Sequence, residues 1–256
     1  MSDAAILRRF SVIAGGPKAR ICVIPTASKM ADTGERYEAI FRDLGVAEVF
    51  SLPFNVRSDC KRADWLEKLQ SATGVFMTGG NQLRLSTLLG GTPVSEMLRE
   101  RNRHDGLHVA GTSAGASIMA EHMIAYGDEG PTPRADMVTL APGMGFTSRA
   151  IIDQHFRERN RLGRLLTAIS YNPRMIGIGL DEDTAAFISP ERILEVVGSG
   201  AITIVDPQDM DFSSMDSANR KQPVSLINIR IHVLVEGGTF DMNTRVAKAA
   251  QLADCS

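Results

Sequence analysis

Apolar positions along the chain fall into two alternating patterns. Short unbroken apolar runs end in glycine, proline or small polar residues, as strands buried on both faces do. Between them lie longer stretches with helical spacing. The run Ile21–Pro25 in "ARICVIPTAS" predicts a buried strand ending in a turn. "DTGERYEAIFRDLGV" predicts a helix, capped by Thr33 and closed by Gly45 just after Leu44. "AEVFSLP" predicts a second strand, "ADWLEKLQSA" a second helix, and "GVFMTGGNQ" a strand ending at Gly79 and Gly80. "NQLRLSTLLGG" and "TPVSEMLRERN" predict helices. "LHVAGTSAG" predicts a strand, with a helix starting just after Ser113 and carrying His122 two turns on. Strands alternating with helices predict parallel pairing, with helices on both faces of the sheet.

The second half changes character. "RAIIDQHF" predicts a strand leading into the helix "RNRLGRLLTAIS". "RMIGIGLDEDTAAFI", "RILEVVGSGAITIVD" and "SLINIRIHVLVEGG" predict short strands with turns rich in glycine, proline or aspartate. An antiparallel extension or side sheet is expected there, within a single α/β domain over residues 1–256. "SSMDSANRKQPVS" reads as a polar loop, and the residues after Arg245 are expected to fray.

Composition narrows the class. A hydrophobic share of 43% over 256 residues is enough for a sizeable core. A net charge of -2 argues against a nucleic-acid partner. No apolar run reaches the about 18 residues that a membrane span needs, and "MSDAAILRRF" lacks the parts of a signal peptide. Cys22, Cys60 and Cys255 are odd in number and widely spaced, which gives neither a disulfide framework nor a metal-binding pair. A cytoplasmic, thiol-reduced protein with inert thiols is expected.

The candidate chemistry sits at predicted strand ends. In "VAGTSAGAS" a serine stands between Gly111 and Gly115 where a strand becomes a helix. A sharp turn of that kind pushes a nucleophile out of the sheet's end and needs small neighbours. The helix start after Ser113 turns backbone N–H groups toward an oxyanion, that of Ala114 first. A tight structural turn with a capping serine uses the same string, so the local sequence leaves both readings open. Gly79 and Gly80 could supply a second donor or form a flexible loop. Ligands of open α/β sheets sit beyond the C-terminal strand ends, where both glycine turns lie.

Of the five histidines, His155 alone closes a predicted strand, in "DQHFRERNRLGRL". Imidazole suits the role of base to a serine, and a carboxylate is needed to hold its tautomer. "GIGLDEDTAA" offers Asp181, Glu182 and Asp183 at the end of the next apolar run. Arg157, Arg159, Arg161 and Arg164 crowd the segment after His155. They read either as a charged exposed helix face partnered by Glu158 or as planar forks for substrate carboxylates. Asp153 and Gln154 beside them suit a cationic part of a substrate.

At these residues the sequence resembles the cyanophycinases, of the serine peptidase family that also contains aspartyl dipeptidase. The strings "AILRRF", "VIPTAS", "TGGNQ", "GTSAGAS", "DQHF" with its arginine spacing, and "GIGLDEDTA" carry the resemblance, from Ile6 to at least Val205. It implies a flavodoxin-like α/β fold, related to class I glutamine amidotransferases. It implies Ser113 as nucleophile, His155 as base and Glu182 as orienter, with Gly80 and Ala114 at the oxyanion positions. Gln82, Asp153, Gln154, Arg159, Arg161 and Arg164 would line the substrate pocket. The implied substrate is cyanophycin, a poly-aspartate backbone with arginine on each side-chain carboxylate, cut to β-Asp-Arg dipeptides. The resemblance further implies a homodimer and no metal or other cofactor. Similar proteins open with an apolar strand and a Gly-Gly-acid turn before the helix matching "AILRRF". No counterpart stands here, so a sheet short of that strand is expected. A dipeptidase for aspartyl or isoaspartyl peptides, and an inactive scaffold of the same fold, are the competing readings.

Overall fold

The computed structural model describes residues 4–250; Cys255, expected to be an inert thiol, lies outside them. The chain forms two compact units. Leu7–Met123 and Ala141–Thr147 make the first. Residues 4–6, Ile124–Leu140 and 148–250 make the second.

The first unit alternates helix and strand: α1 (Ala5–Ile13), β1 (Arg20–Ile24), α2 (Thr33–Asp43), β2 (Glu48–Ser51), α3 (Ala63–Ser71), β3 (Gly74–Met77), α4 (Gln82–Leu89), α5 (Pro93–His104), β4 (His108–Gly111) and the short α6 (Ala114–Ser117). The strands lie in the order β2-β1-β3-β4, all parallel. That is the flavodoxin-like order, reversing between β1 and β3. Successive side chains of a strand point to opposite faces, and two separate cores result. Ile21, Val23 and Phe76 pack with Phe10 of α1, Ala14 just beyond it and Phe41 of α2. Cys22, Ile24, Val75 and Met77 pack with Leu69 of α3, Leu85 and Leu89 of α4 and Val94 and Leu98 of α5. β1 and β3 are thus buried on both sides, with helices on both faces as expected, while β2 and β4 are largely half-buried.

Two local expectations need correction. Thr33 does not cap α2: its hydroxyl lies 2.7 Å from that of Ser28, and Asp32 holds the N-cap position without a side-chain cap bond. The helix after Ser113 ends at Ser117. The carbonyls that would carry it on are taken by the Gly143–Thr147 segment, with Met144 N–H donating to Ile118 at 2.7 Å and Phe146 N–H to Met119 at 2.9 Å. His122 therefore opens a strand, β5 (His122–Gly127), and is not helical. β5 pairs with β6 (Val138–Pro142).

The second unit is mostly strand: β7 (Ala150–Gln154), α7 (Leu162–Tyr171), β8 (Ile176–Leu180), β9 (Thr184–Ile188), β10 (Ile193–Gly198), β11 (Ile202–Asp206), β12 (Phe212–Ser213), β13 (Leu226–Ile227), β14 (Arg230–Leu234), β15 (Thr239–Asp241) and β16 (Val246–Lys248). β7 and β8 are parallel; β11 and then β14 add antiparallel to β8. A second, antiparallel sheet runs β16-β15-β10-β9, and β12 pairs with β13. Leu165, Ala168 and Ile169 of α7 pack on Ile151, Phe156 and Val205. Residues 246–248 do not fray as expected: β16 pairs with β15, and the Arg245 guanidinium binds the fully buried Asp206; residues 251–256 lie outside the described residues.

Candidate active site

The first unit presents Ser113 at the C-terminal end of β4. Its backbone takes φ 52° and ψ -113°, a left-handed-side conformation that costs a non-glycine residue of order 1–3 kcal/mol. The glycines around it are fixed by backbone contact. A Cβ on Gly111 would stand 2.3 Å from the Gly115 carbonyl oxygen, and one on Gly115 2.1 Å from that of Met77. The Ser113 side chain makes no capping hydrogen bond to α6, which removes the capping-serine reading. Gly115 N–H donates to Thr112, and Ala116 and Ser117 N–H donate to Ser113. The Ala114 N–H is not among these internal bonds.

The turn after β3 lies beside it, because Met77 is in register with Gly111. A Cβ on Gly79 would meet that of Ser113 at 3.2 Å. Gly80 has φ 141°, and a Cβ there would fall 2.1 Å from the Ala27 carbonyl oxygen, so only glycine fits. Asn81 caps α4 through Leu83 N–H at 2.9 Å, which places half-buried Gln82 at the first helical position. The expected oxyanion pair, Gly80 and Ala114, thus stands on neighbouring strand ends of one sheet.

The second unit carries the imidazole and the acid. His155 follows β7 with φ 50°, again left-handed, and its Nδ1 lies 2.7 Å from Oε1 of Glu182. The three neighbouring acids separate by role. Buried Asp181 accepts the N–H groups of Arg157 at 3.1 Å and Ala201 at 3.2 Å, which shapes the turn. Asp183 takes φ 51°. Glu182, exposed between them, is the one on the imidazole. Glu158 accepts the Glu182 N–H at 3.3 Å. Burial pushes the Glu158 pKa up, but its own N–H, that of Glu182 and the Arg157 side chain outweigh this and hold it below the usual value. Gly179 of β8 makes room for the Phe156 ring next to His155; a Cβ there would stand 2.5 Å from the ring.

The arginines divide. Arg157 is exposed and pairs with Glu158 at 3.3 Å, and Arg159 is exposed. Arg161 and Arg164 are buried. Arg164 binds Asp153, which is 1% exposed, through Nε to Oδ2 at 2.6 Å and Nη2 to Oδ1. Arg161 donates to the Gln154 backbone carbonyl and, at 3.2 Å, to its side-chain oxygen. Burial pushes the Arg161 pKa down, the Arg164 charge adds to this, and Asp153 opposes it. Neither Arg161 nor Arg164 lies on the exposed helix face that charge patterning offered. Among the described residues no group of three or more His, Cys, Asp or Glu is placed to hold a metal ion.

Sequence reasoning named Asp181 as a candidate acid and Glu158 as an arginine partner, but not their bonds to the backbone around the Glu182 turn, nor Gly179 under Phe156. The alternating glycines of "GIGL" were the available signal, since glycine inside a strand marks close approach of a neighbour.

The first unit thus holds a strained serine turn at a strand end of a doubly wound sheet, and the second unit holds a histidine–carboxylate pair at a strand end of its own. Residues 3–196 match the model of peptidase family S51, and the chain belongs to that family. It is 42% identical over 246 residues to the cyanophycinase of Trichormus variabilis, covering 96% of this chain and 83% of that protein. The cyanophycinase of Geminocystis herdmanii is 41% identical over 240 residues, covering 93% and 88%. In fold, the chain matches the crystal structure of a peptidase from an acI-B1 Actinobacterium with a TM-score of 0.66 at 20% identity, covering 93% of this chain and 91% of that one.

Proposed function

We propose that this S51 peptidase degrades cyanophycin, releasing β-Asp-Arg dipeptides through an acyl-enzyme. The names of its relatives support the substrate. The observation that carries the chemistry is Ser113, strained at φ 52° in a strand-to-helix turn. Ser113 Oγ attacks the peptide carbonyl, and its proton passes to His155. Glu182 holds the imidazole in the tautomer that leaves Nε2 as acceptor. The backbone N–H groups of Gly80 and Ala114 receive the oxyanion. His155 returns the proton to the leaving amine as the C–N bond breaks. Water, deprotonated by the same imidazole, then cleaves the ester. No metal or cofactor enters these steps.

Gln82 and exposed Arg159 are proposed as substrate contacts, Arg159 for a carboxylate of the polymer. The active species is proposed to be a cytoplasmic homodimer. Incubation with cyanophycin and, separately, with aspartyl and isoaspartyl dipeptides, read by mass spectrometry, tests the reading. Release of β-Asp-Arg from the polymer is expected. Turnover of the dipeptides alone would make the chain a dipeptidase, and no turnover of either would make it a scaffold.

A further inference from the structure

We propose that Asp153 and Arg164 are positioning residues that set the posture of His155, and are not contacts of the substrate. The inference rests on the reading of His155 as base. It starts from the backbone. His155 is held at φ 50°, and the peptide groups on both sides of it are tied down. Gln154 N–H donates to Asp153 Oδ1 at 2.9 Å. The Gln154 carbonyl accepts from the Arg161 guanidinium. Arg159 N–H donates to the His155 carbonyl at 3.2 Å, Phe156 N–H to Leu180 at 3.0 Å, and Arg161 N–H to Phe156 at 3.0 Å.

Asp153 is the centre of this network. One carboxylate oxygen takes the Gln154 N–H and Arg164 Nη2, with Arg161 Nη1 at 3.5 Å; the other takes Arg164 Nε at 2.6 Å. Arg164 Nη1 reaches the Gly127 carbonyl at 3.4 Å, so all three guanidinium nitrogens are engaged inside the unit. A buried, bidentate fork on a buried carboxylate presents neither charge to a ligand. Removing either partner leaves the other charge buried and unpaired. The Arg161 fork then loses its neighbour on Asp153, and the peptide groups on the two sides of Gln154 lose their tethers, the second of them leading directly into His155. A left-handed histidine persists only while its surroundings over-determine it. Once the tethers slacken, the ring leaves Glu182.

The experiment compares Asp153→Asn and Arg164→Lys with the parent protein by steady-state kinetics on cyanophycin and by proton NMR of the His155 ring N–H. Both variants are expected to lose tenfold or more in kcat, with KM within twofold. The acidic limb of the kcat/KM pH profile shifts, and the downfield His155 Nδ1–H signal disappears. Arg164→Lys, which keeps the charge, loses less than Arg164→Ala. A raised KM with unchanged kcat, or an unchanged NMR signal in folded variants, overturns the proposal and returns both residues to substrate binding. Should Asp153→Asn lack a cooperative thermal transition, Arg164→Lys decides by the same readings. If the parent turns over no β-aspartyl substrate, the peptidase reading fails separately, and the NMR signal alone decides the positioning role.

Discussion

His155 Nδ1 lies 2.7 Å from Glu182 Oε1 across the gap between the ends of β7 and β8. Two parallel neighbours, β7 and β8, bring residues 27 positions apart to one rim. The carboxylate fixes which ring nitrogen carries the proton. Glu182→Gln keeps the shape and removes the charge. It is expected to lower kcat by roughly a hundredfold or more while leaving the melting temperature nearly unchanged. A kcat within threefold of the parent would show that the imidazole needs no anion.

Ser113→Ala is expected to abolish turnover by about a thousandfold or more, with the fold intact. The same substitution should abolish labelling by a fluorophosphonate probe. Mass spectrometry of the labelled parent locates the adduct, and an adduct on any other residue would remove Ser113 from the mechanism.

Glu158 carries a pH-dependent share of stability. Its folded-state pKa is held below the ordinary value of 4.5. Its stabilisation is therefore fully present above that value and is lost as pH falls through the lower folded pKa. Urea unfolding of the parent and of Glu158→Gln should differ at pH 7 and converge toward pH 3. A gap that widens on acidification would contradict the sign.

Gly179→Ala drives a methyl into the Phe156 ring. Overpacking of this kind costs about 1–3 kcal/mol, and Phe156 adjoins His155, so activity should fall together with stability. Truncation to Phe156→Leu in the same chain should recover part of the melting temperature. Thermal unfolding and kcat measured on both variants check the coupling.

Cys22 should resist alkylation in the folded state. Burial, and then the Glu38 charge, push its thiol far above the ordinary range, and the thiolate is the reactive form. Burial likewise raises Cys60, more than Thr92 and Arg57 lower it. Peptide mass spectrometry after iodoacetamide at pH 8 should find both unmodified until the protein is unfolded.

The first unit was legible because short apolar runs alternate there with helical stretches, the pattern of a parallel sheet covered by helices. β5 and β6 were not legible. "SAGASIMAEHM" has helical spacing and small residues, and nothing local announces that Met144 and Phe146 will claim the carbonyls of Ile118 and Met119. The proposed site residues stand out by position, since Ser113, His155 and Glu182 each follow an apolar run. The choice of Glu182 among three acids came from family resemblance; the residues alone left it open until Asp181 was seen bonded to backbone. The arginines misled because charge is ordinarily a surface signal. Arg164 lies inside only because Asp153 accompanies it there, and a pair eleven positions apart leaves no mark in a helical-face analysis.

Ser113, His155 and Asp183 all hold left-handed backbone angles without being glycine. Selection for heat tolerance alone would favour glycine at each of them, since every such exchange relaxes the chain. A laboratory lineage evolved under thermal challenge without a turnover requirement should accept glycine at positions 113 and 155, which one kept for turnover would refuse.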